Sequence, residues 1–323
     1  MKISVIVPSY NRADTLKNTL DSILAQKVNA DLEIVIGDDC STDNARDVIL
    51  EYHRMYPDKV RYFFWKDNLG LGSNWLSCLK QCTGDYVCNC DNDDYWHNPQ
   101  KLQLQLDFME KYPCVDLCHT DFRTQNRISG VVKEQFCKSV AFEGEDQQKA
   151  IMTGHFGCCN ATVMYRMTSL KKYLPIDDMI SHHFTLQDFP VWMILAAHSS
   201  FSEIHVSTAT WNMETGSITR PKSCQALKDR MEKERDCFKY ICDMFPDKFS
   251  YVKEDYDDLC NARYMAFAYK CRNYTEAKYY AKQLGNYITK LDKRKKSMAM
   301  HRLTFYTYIL CGNLRHWVKV LLD

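Results

Sequence analysis

The sequence contains no run approaching the eighteen or so uninterrupted apolar residues that cross a membrane. It also lacks charge of one sign: 42 Lys and Arg stand against 41 Asp and Glu, a formal net charge of +1. A chain whose main work is coating nucleic acid carries a strong basic excess, so that class of partner is set aside. No glycine is followed by lysine, which removes the P-loop. The only G-x-G, Gly70 and Gly72, has no third glycine and does not follow the first strand, so the dinucleotide fingerprint fails too. The N-terminal apolar run is broken by Pro8 before it reaches signal-peptide length, and the reading expects a cytoplasmic protein. In a reducing compartment its 16 cysteines are expected as thiols. Cys78 and Cys82, Cys88 and Cys90, and Cys114 and Cys118 invite a zinc reading. None of these pairs has the two-residue gap of a zinc knuckle, and free core thiols are expected instead.

What is present is a globular chain of 323 residues, 46% hydrophobic, with room for about two domains. Its first third alternates short β-branched runs with amphipathic stretches. Strands are predicted at Lys2–Pro8, Leu32–Ile36, Val60–Trp65 and Asp85–Cys90. Helices are predicted at Ala13–Gln26, from a cap at Ser41 or Thr42 to about Tyr56, and from Ser73 to Gln81. Such alternation argues for an α/β fold with a mainly parallel sheet flanked by helices, whose ligands bind at the carboxyl ends of the strands. Beyond Asp94 a helix at Gln100–Lys111, a strand near Val115–Thr120, a short helix near Gln147–Thr153 and a strand at Ala161–Tyr165 follow. A helix from Asp188 to His198 and a strand at Glu203–Trp211 complete the pattern, and from Ser223 the chain reads as helical. Tyr264, Ala268, Tyr274, Ala277 and Tyr280 suggest a helix–turn–helix pair there. The basic residues Lys290, Lys293, Arg294, Lys295 and Lys296 precede an apolar series from Leu303 to Leu322. That order suits peripheral membrane contact through the C-terminal helices, and equally a helix docked on its own domain or a dimer seam.

The predicted strand tips carry the chemistry. They are Pro8-Ser9-Tyr10-Asn11-Arg12, Asp38-Asp39-Cys40-Ser41-Thr42-Asp43, Asn68-Leu69-Gly70 and Asp91-Asn92-Asp93-Asp94. Carboxylates gathered at one sheet edge repel by roughly 1 kcal/mol in water and by more in a cleft. The repulsion is relieved by a raised pKa, a basic partner or a bound divalent cation. Closely spaced Asp residues suit a hard ion such as Mg²⁺ or Mn²⁺ that shares its shell with substrate phosphates. The plainer alternative is that Asp43 caps a helix and Asp91–Asp94 form a solvated turn.

These four motifs, in this order, resemble family-2 glycosyltransferases: inverting enzymes of the GT-A fold that use nucleotide-diphosphate sugars. The resemblance covers about Met1–Asn98, and Gln187-Asp188-Phe189-Pro190-Val191-Trp192 resembles the family's acidic pair and aromatic on the acceptor side. It implies a nucleotide-sugar-binding half over 1–98, an acceptor-binding half over 99–222 and a helical extension over 223–323. Pro8, Tyr10, Asn11, Asp39, Asn68, Gly70 and Asp91 would border the nucleotide, Asp39 accepting a hydrogen bond from the base and Asp91 lying near ribose and sugar. Asp93 would hold Mn²⁺ or Mg²⁺, and Asp188 would be the catalytic base. The implied partners are a nucleotide-diphospho-sugar donor, with UDP-sugar first, and a saccharide or lipid-linked saccharide acceptor. The implied pathway is assembly of a surface polysaccharide or lipopolysaccharide. Gln187 stands where the family has Glu, and Asn212-Met213-Glu214 stands where many members carry Arg and His, leaving Arg220 or Lys222 for the diphosphate. Those departures motivate an alternative, a sugar-nucleotide- or carbohydrate-binding protein of the same fold without turnover. His155, His182, His183, Trp75, Trp96 and Trp192 are candidates for acceptor contacts, with packing the competing role.

Overall fold

The computed structural model of the chain describes residues 1–135, 147–148, 150–151, 158–213, 223–249, 253–285 and 290–310. Two compact units divide it, Met1–Glu214 and Thr215–Asp323.

The first unit is built on a nine-stranded mixed sheet. Its strands are β1 (Lys2–Ser9), β2 (Asp31–Asp38), β3 (Val60–Phe64), β4 (Tyr86–Asn89), β5 (Tyr95–Trp96), β6 (Val115–Asn126), β7 (Val132–Gln135), β8 (Met164–Arg166) and β9 (Ser200–Met213). The order is β3-β2-β1-β4-β8-β6-β9-β5, with β7 on β6. The four strands β3, β2, β1 and β4 run parallel, so their carboxyl ends share one edge. Strand β8 enters antiparallel between β4 and β6 and makes the sheet mixed. Ile3, Val5, Ile6 and Val7 of β1, with Ile34, Val35 and Ile36 of β2, are wholly buried on both faces of the sheet. That explains why these strands read as continuous apolar runs rather than alternating ones. Helix α1 (Ala13–Leu24) buries Leu16, Leu20 and Ile23 against the sheet, and α2 (Ala45–Met55) buries Val48, Ile49 and Tyr52.

Local chemistry moves some boundaries. Helix α2 starts at Ala45, not after Ser41 or Thr42, because it is Asp43 that accepts the Ala45 N–H at 3.0 Å. Helix α3 (Leu71–Leu79) starts two residues before the expected Ser73, directly after Gly70 turns the chain with a φ of +80°. The strand expected at Ala161–Tyr165 is a 3₁₀ turn, Asn160–Thr162, followed by the three-residue β8. Of the helix expected near Gln147–Thr153, Gln147, Gln148, Ala150 and Ile151 are helical and buried; its other residues lie outside those described.

At the start of β2, Glu33 is buried in a polar socket. It accepts hydrogen bonds from Ser4 Oγ (2.5 Å), Thr83 N (2.6 Å) and Thr83 Oγ1 (2.8 Å), and pairs with Lys2 at 2.7 Å and Arg61 at 3.4 Å. Burial alone would raise its pKa, but these donors outweigh it and hold the carboxyl at about 2.

Cys78, Cys82, Cys88, Cys90, Cys114 and Cys118 are free thiols, all but Cys114 buried. Among the described residues no three His, Cys, Asp or Glu side chains converge on a metal-sized point. The expectation of thiols throughout fails at Cys271, which is disulfide-bonded.

The second unit is helical over its described residues: Cys224–Met244, Pro246–Phe249, Lys253–Lys270, Tyr274–Gln283, Lys290–Ala299 and 302–310. The expected helix–turn–helix is present. Asn273 caps the second helix by accepting the Glu276 N–H, and Tyr264 stacks on Tyr280 at 4.9 Å. Met265, Ala268, Ala277, Ala281, Ala299 and Phe305 form its core, while Leu303 and Leu310 face solvent. The rest of the apolar series, including Leu314 and Trp317, lies outside the described residues. No described helix is long and apolar enough to cross a membrane.

Candidate active site

Because β1, β2 and β4 are parallel neighbours, the loops that follow them meet. The Asp39 N–H donates to Ser9 O at 2.8 Å, extending the β1–β2 ladder past its last paired residues. Asn11 then clips the two tips together: its N–H donates to Ser41 Oγ at 3.0 Å and its Oδ1 accepts from Thr42 N at 2.8 Å. Asp43 adds a second clip by accepting the Ala13 N–H at 2.9 Å. Asn11 and Cys40 hold left-handed backbone, with φ of +49° and +64°. Strained non-glycine residues of this kind persist only where surrounding bonds over-determine them. Pro8 is buried in β1, whereas Tyr10 projects from the tip and is half exposed.

The acids at the end of β2 are answered by their own chain. Asp38, fully buried, receives the Arg46 guanidinium at 2.7 Å. Asp39, also buried, accepts Leu69 N–H at 2.6 Å on one oxygen and Gly70 N–H at 2.9 Å on the other. Burial raises its pKa, and the two N–H donors offset part of that rise. Asn68 Nδ2 donates back to Asp39 O at 2.9 Å, so Asp39, Asn68 and Gly70 form one unit.

The turn after β4 is different. Asp94 is buried and, among the described residues, its carboxylate accepts only the Asn212 N–H at 2.8 Å; burial, then the charges of Asp93 and Asp91, hold its pKa well above the ordinary value. Asn212 Nδ2 also donates to Asp93 O at 2.5 Å. Asp91 accepts from Asn89 Nδ2 at 3.1 Å and Gln187 Nε2 at 3.3 Å. Burial first, then the charges of Asp93 and Asp188, push its pKa up to about 7. The Arg12 guanidinium lies 3.9 Å from Asp93.

Gln187 therefore ties the start of the helix Asp188–Ala196 to the Asp91 turn and brings Asp188 within electrostatic reach of Asp91. The Asp188 carboxylate accepts the N–H of Phe189 at 2.7 Å, not the N–H two or three residues on that an N-cap takes. Gly72 permits a second tie: a Cβ there would sit 2.3 Å from Phe184 O, so only glycine lets α3 and the approach to Asp188 lie backbone against backbone.

The structure thus gathers Asn11, Asp39, Asn68 and Gly70 at the β1–β2 end, and Asp91, Asp93 and Asp188 around the β4 end. Trp75, Trp96 and Trp192 are buried in packing: Trp75 lies against Tyr165, Trp96 lies under the Lys101 ammonium, and Trp192 Nε1 donates to Tyr165 Oη. His182 stacks on Phe184 and His183 lies 3.4 Å from Ser73 Oγ. His155, Glu214, Arg220 and Lys222 lie outside the described residues. Arg12 and Asn212 stand in the quoted motifs but only the fold shows them bracketing the acidic turn.

A divalent ion held by protein alone would need several converging carboxylates, and none of the described clusters offers them. The donor set fits another mode, in which one carboxylate, Asp93, anchors an ion whose remaining ligands are water and substrate phosphate.

Comparison with known proteins agrees with this architecture. A curated glycosyltransferase of Nostoc whose activity is uncharacterised is 37% identical over 182 residues, 55% of this chain and 54% of its own. Chondroitin synthase of Escherichia coli is 28% identical over 154 residues, 48% of this chain and 22% of its own. The chain spans well under two thirds of the length of these relatives. Among solved structures, Staphylococcus aureus TarS 1–349 in complex with UDP-GlcNAc superposes with a TM-score of 0.56 at 19% identity, covering 95% of this chain and 91% of that one. The mannosyltransferase PcManGT from Pyrobaculum calidifontis, in complex with GDP-Man and Mn²⁺, gives 0.50 at 17% identity, covering 95% and 86%. At these identities both likenesses establish the fold, which is GT-A. The sequence profile described as glycosyl transferase family 2 matches residues 4–174, more than half of the chain, and the chain belongs to that family.

Proposed function

We propose that this chain is a metal-assisted, inverting glycosyltransferase that moves a sugar from a nucleotide-diphosphate donor to a hydroxyl of a saccharide or lipid-linked saccharide. A UDP-sugar is the first candidate donor, and assembly of a surface polysaccharide is the setting that relatives such as chondroitin synthase suggest. The observation that carries the reading is the convergence of the β4 acidic turn with Asp188 through the Gln187–Asp91 hydrogen bond. At the other end, Asn11, Asp39, Asn68 and Gly70 shape the nucleotide pocket. Each Asp39 oxygen keeps a lone pair for the base after accepting one backbone N–H.

When bound, Mn²⁺ or Mg²⁺ neutralises charge on the departing diphosphate. Asp93 would hold the ion, and Arg12, 3.9 Å from Asp93, would add a second positive charge beside it. Asp188 accepts the proton of the acceptor hydroxyl as it attacks the anomeric carbon. One displacement inverts that centre, and no covalent sugar–enzyme intermediate is required.

The test is incubation with UDP-glucose, UDP-N-acetylglucosamine and GDP-mannose, with Mn²⁺ or with EDTA, following release of nucleoside diphosphate. Metal-dependent release is expected, and NMR of a transfer product should show the inverted anomer. Asp188→Asn should keep donor affinity and lose turnover by about a hundredfold or more. Near-wild-type rates in that variant remove the base assignment. Gln187, where an acid stands in relatives, favours a second reading: donor binding by calorimetry with no release under any condition would establish a binding protein. No nucleotide binding at all defeats both.

A further inference from the structure

Buried polar side-chain atoms in folded proteins nearly always have hydrogen-bond partners, and an exception points to something the fold leaves room for. Among the described residues, Asn160 is the one side chain whose two polar atoms, Nδ2 and Oδ1, are both buried without a partner. The residue is 8% exposed. Packing does not require a carboxamide there. A leucine of similar size would fill the space with no unmet donor or acceptor.

The backbone beneath Asn160 is fixed from three sides. Thr162 N donates to Cys159 O at 2.8 Å, Trp96 Nε1 donates to Ala161 O at 2.8 Å, and Gln105 Nε2 donates to Thr162 O at 2.9 Å. The carboxamide is therefore carried on a rigid turn, as a recognition group must be. It lies beside Asp91, near enough for a long, weak hydrogen-bonding contact that favours that carboxylate's ionised form but short of the geometry of a formed bond. Asn89, whose Nδ2 donates to Asp91, also has a buried and unpartnered Oδ1. Two asparagines with unused hydrogen-bonding capacity thus border one carboxylate. Gln187 links that carboxylate to the helix of Asp188.

We infer that Asn160 is a specificity-determining residue that hydrogen-bonds neighbouring polar substituents of the transferred sugar, through the carboxamide that the fold leaves unpaired beside Asp91. The inference rests on the proposed glycosyltransferase reading, in which the sugar lies between Asp93 and Asp188. A carboxamide offers one donor edge and one acceptor edge, the complement of adjacent hydroxyls or of a hydroxyl beside an acetamido group. Sites built to hydrogen-bond a sugar substituent discriminate strongly against ligands that lack it, because the buried groups are then left unpaired.

The experiment uses the full chain with Mn²⁺ and calorimetric titration of UDP, UDP-N-acetylglucosamine, GDP and GDP-mannose into wild type, Asn160→Ala and Asn160→Leu. Wild type should bind one sugar nucleotide more tightly than its bare diphosphate. Both variants should weaken that sugar nucleotide by about tenfold to a hundredfold and leave the bare diphosphate unchanged. Asn160→Leu should also melt no lower than wild type, since it removes two unmet polar atoms. Equal weakening of both ligands, no weakening, or a leucine variant that melts several degrees lower without selective loss assigns Asn160 to the scaffold and overturns the inference. A wild type that binds a diphosphate and its sugar nucleotide alike overturns the inference while the functional reading stands. A wild type that binds none of the four overturns that reading, and this inference with it.

Discussion

The acids after β2 and those after β4 carry the same sequence signature and live in opposite electrostatic conditions. Asp38 is met by a guanidinium at 2.7 Å and Asp39 by two backbone N–H groups. Among the described residues, the donors that meet Asp91 and Asp94 are neutral, and the Arg12 guanidinium lies 3.9 Å from Asp93. Where the chain neutralises its carboxylates it has built a staple that shapes a pocket. At the β4 turn the described hydrogen-bond donors to Asp91 and Asp94 are neutral, and it is there that the proposed function puts a cationic ligand.

The largest test of that contrast is Asp93→Ala against Asp38→Asn. The first should abolish metal-dependent strengthening of donor binding and lower turnover by about a hundredfold to a thousandfold. The second should leave the metal effect intact and show itself as a lower melting temperature. Titrating Mn²⁺ at fixed sugar nucleotide checks both, and an equal loss of metal effect in the two variants breaks the comparison.

Glu33, the answered acid at the opposite end of β2, sharpens it through pH. Its folded pKa of about 2 lies below the ordinary 4.5, so its contribution is fully present above pH 4.5 and is lost as pH falls toward 2. A depression of that size corresponds to about 3 kcal/mol at neutral pH. Glu33→Gln should lower stability at pH 7 and flatten its decline between pH 4.5 and 2, measured as urea midpoints across that range. An unchanged pH profile would mean that the socket does not hold the charge. The smallest effect is expected from Arg46→Met, which leaves Asp38 buried without its cation. Because Arg46 is part exposed, the cost should be about 2 kcal/mol, below that of a fully buried pair.

The parallel half of the fold was legible because each strand is a β-branched run and each tip follows directly from it. Ile34–Ile36 and Asp85–Cys90 read as strands, and Asp38, Asp39 and Asp91–Asp94 fall after them by chain order alone. Gly70 was legible as part of a strand tip, but the start of α3 beside it was not. That boundary depends on a backbone angle rather than on periodicity. Asn160 was hidden just before an expected strand, since nothing in Ala161–Tyr165 signals that the chain makes a 3₁₀ turn before pairing for only three residues. The partners of the acids were equally hidden. Arg46 reaches Asp38 from the first turn of α2, and Gln187 reaches Asp91 across 96 positions of sequence. Such long-range pairings come from topology, and a single chain read in order does not display them.

The bare backbone approach at Gly72 leaves no slack between two segments of the site. With no side chain between α3 and Phe184, direct backbone contact sets the spacing between the Asn68–Gly70 loop that leads into α3 and the segment that leads to Asp188. Bulk added at position 72 would push α3 and the segment leading from Phe184 to Asp188 apart.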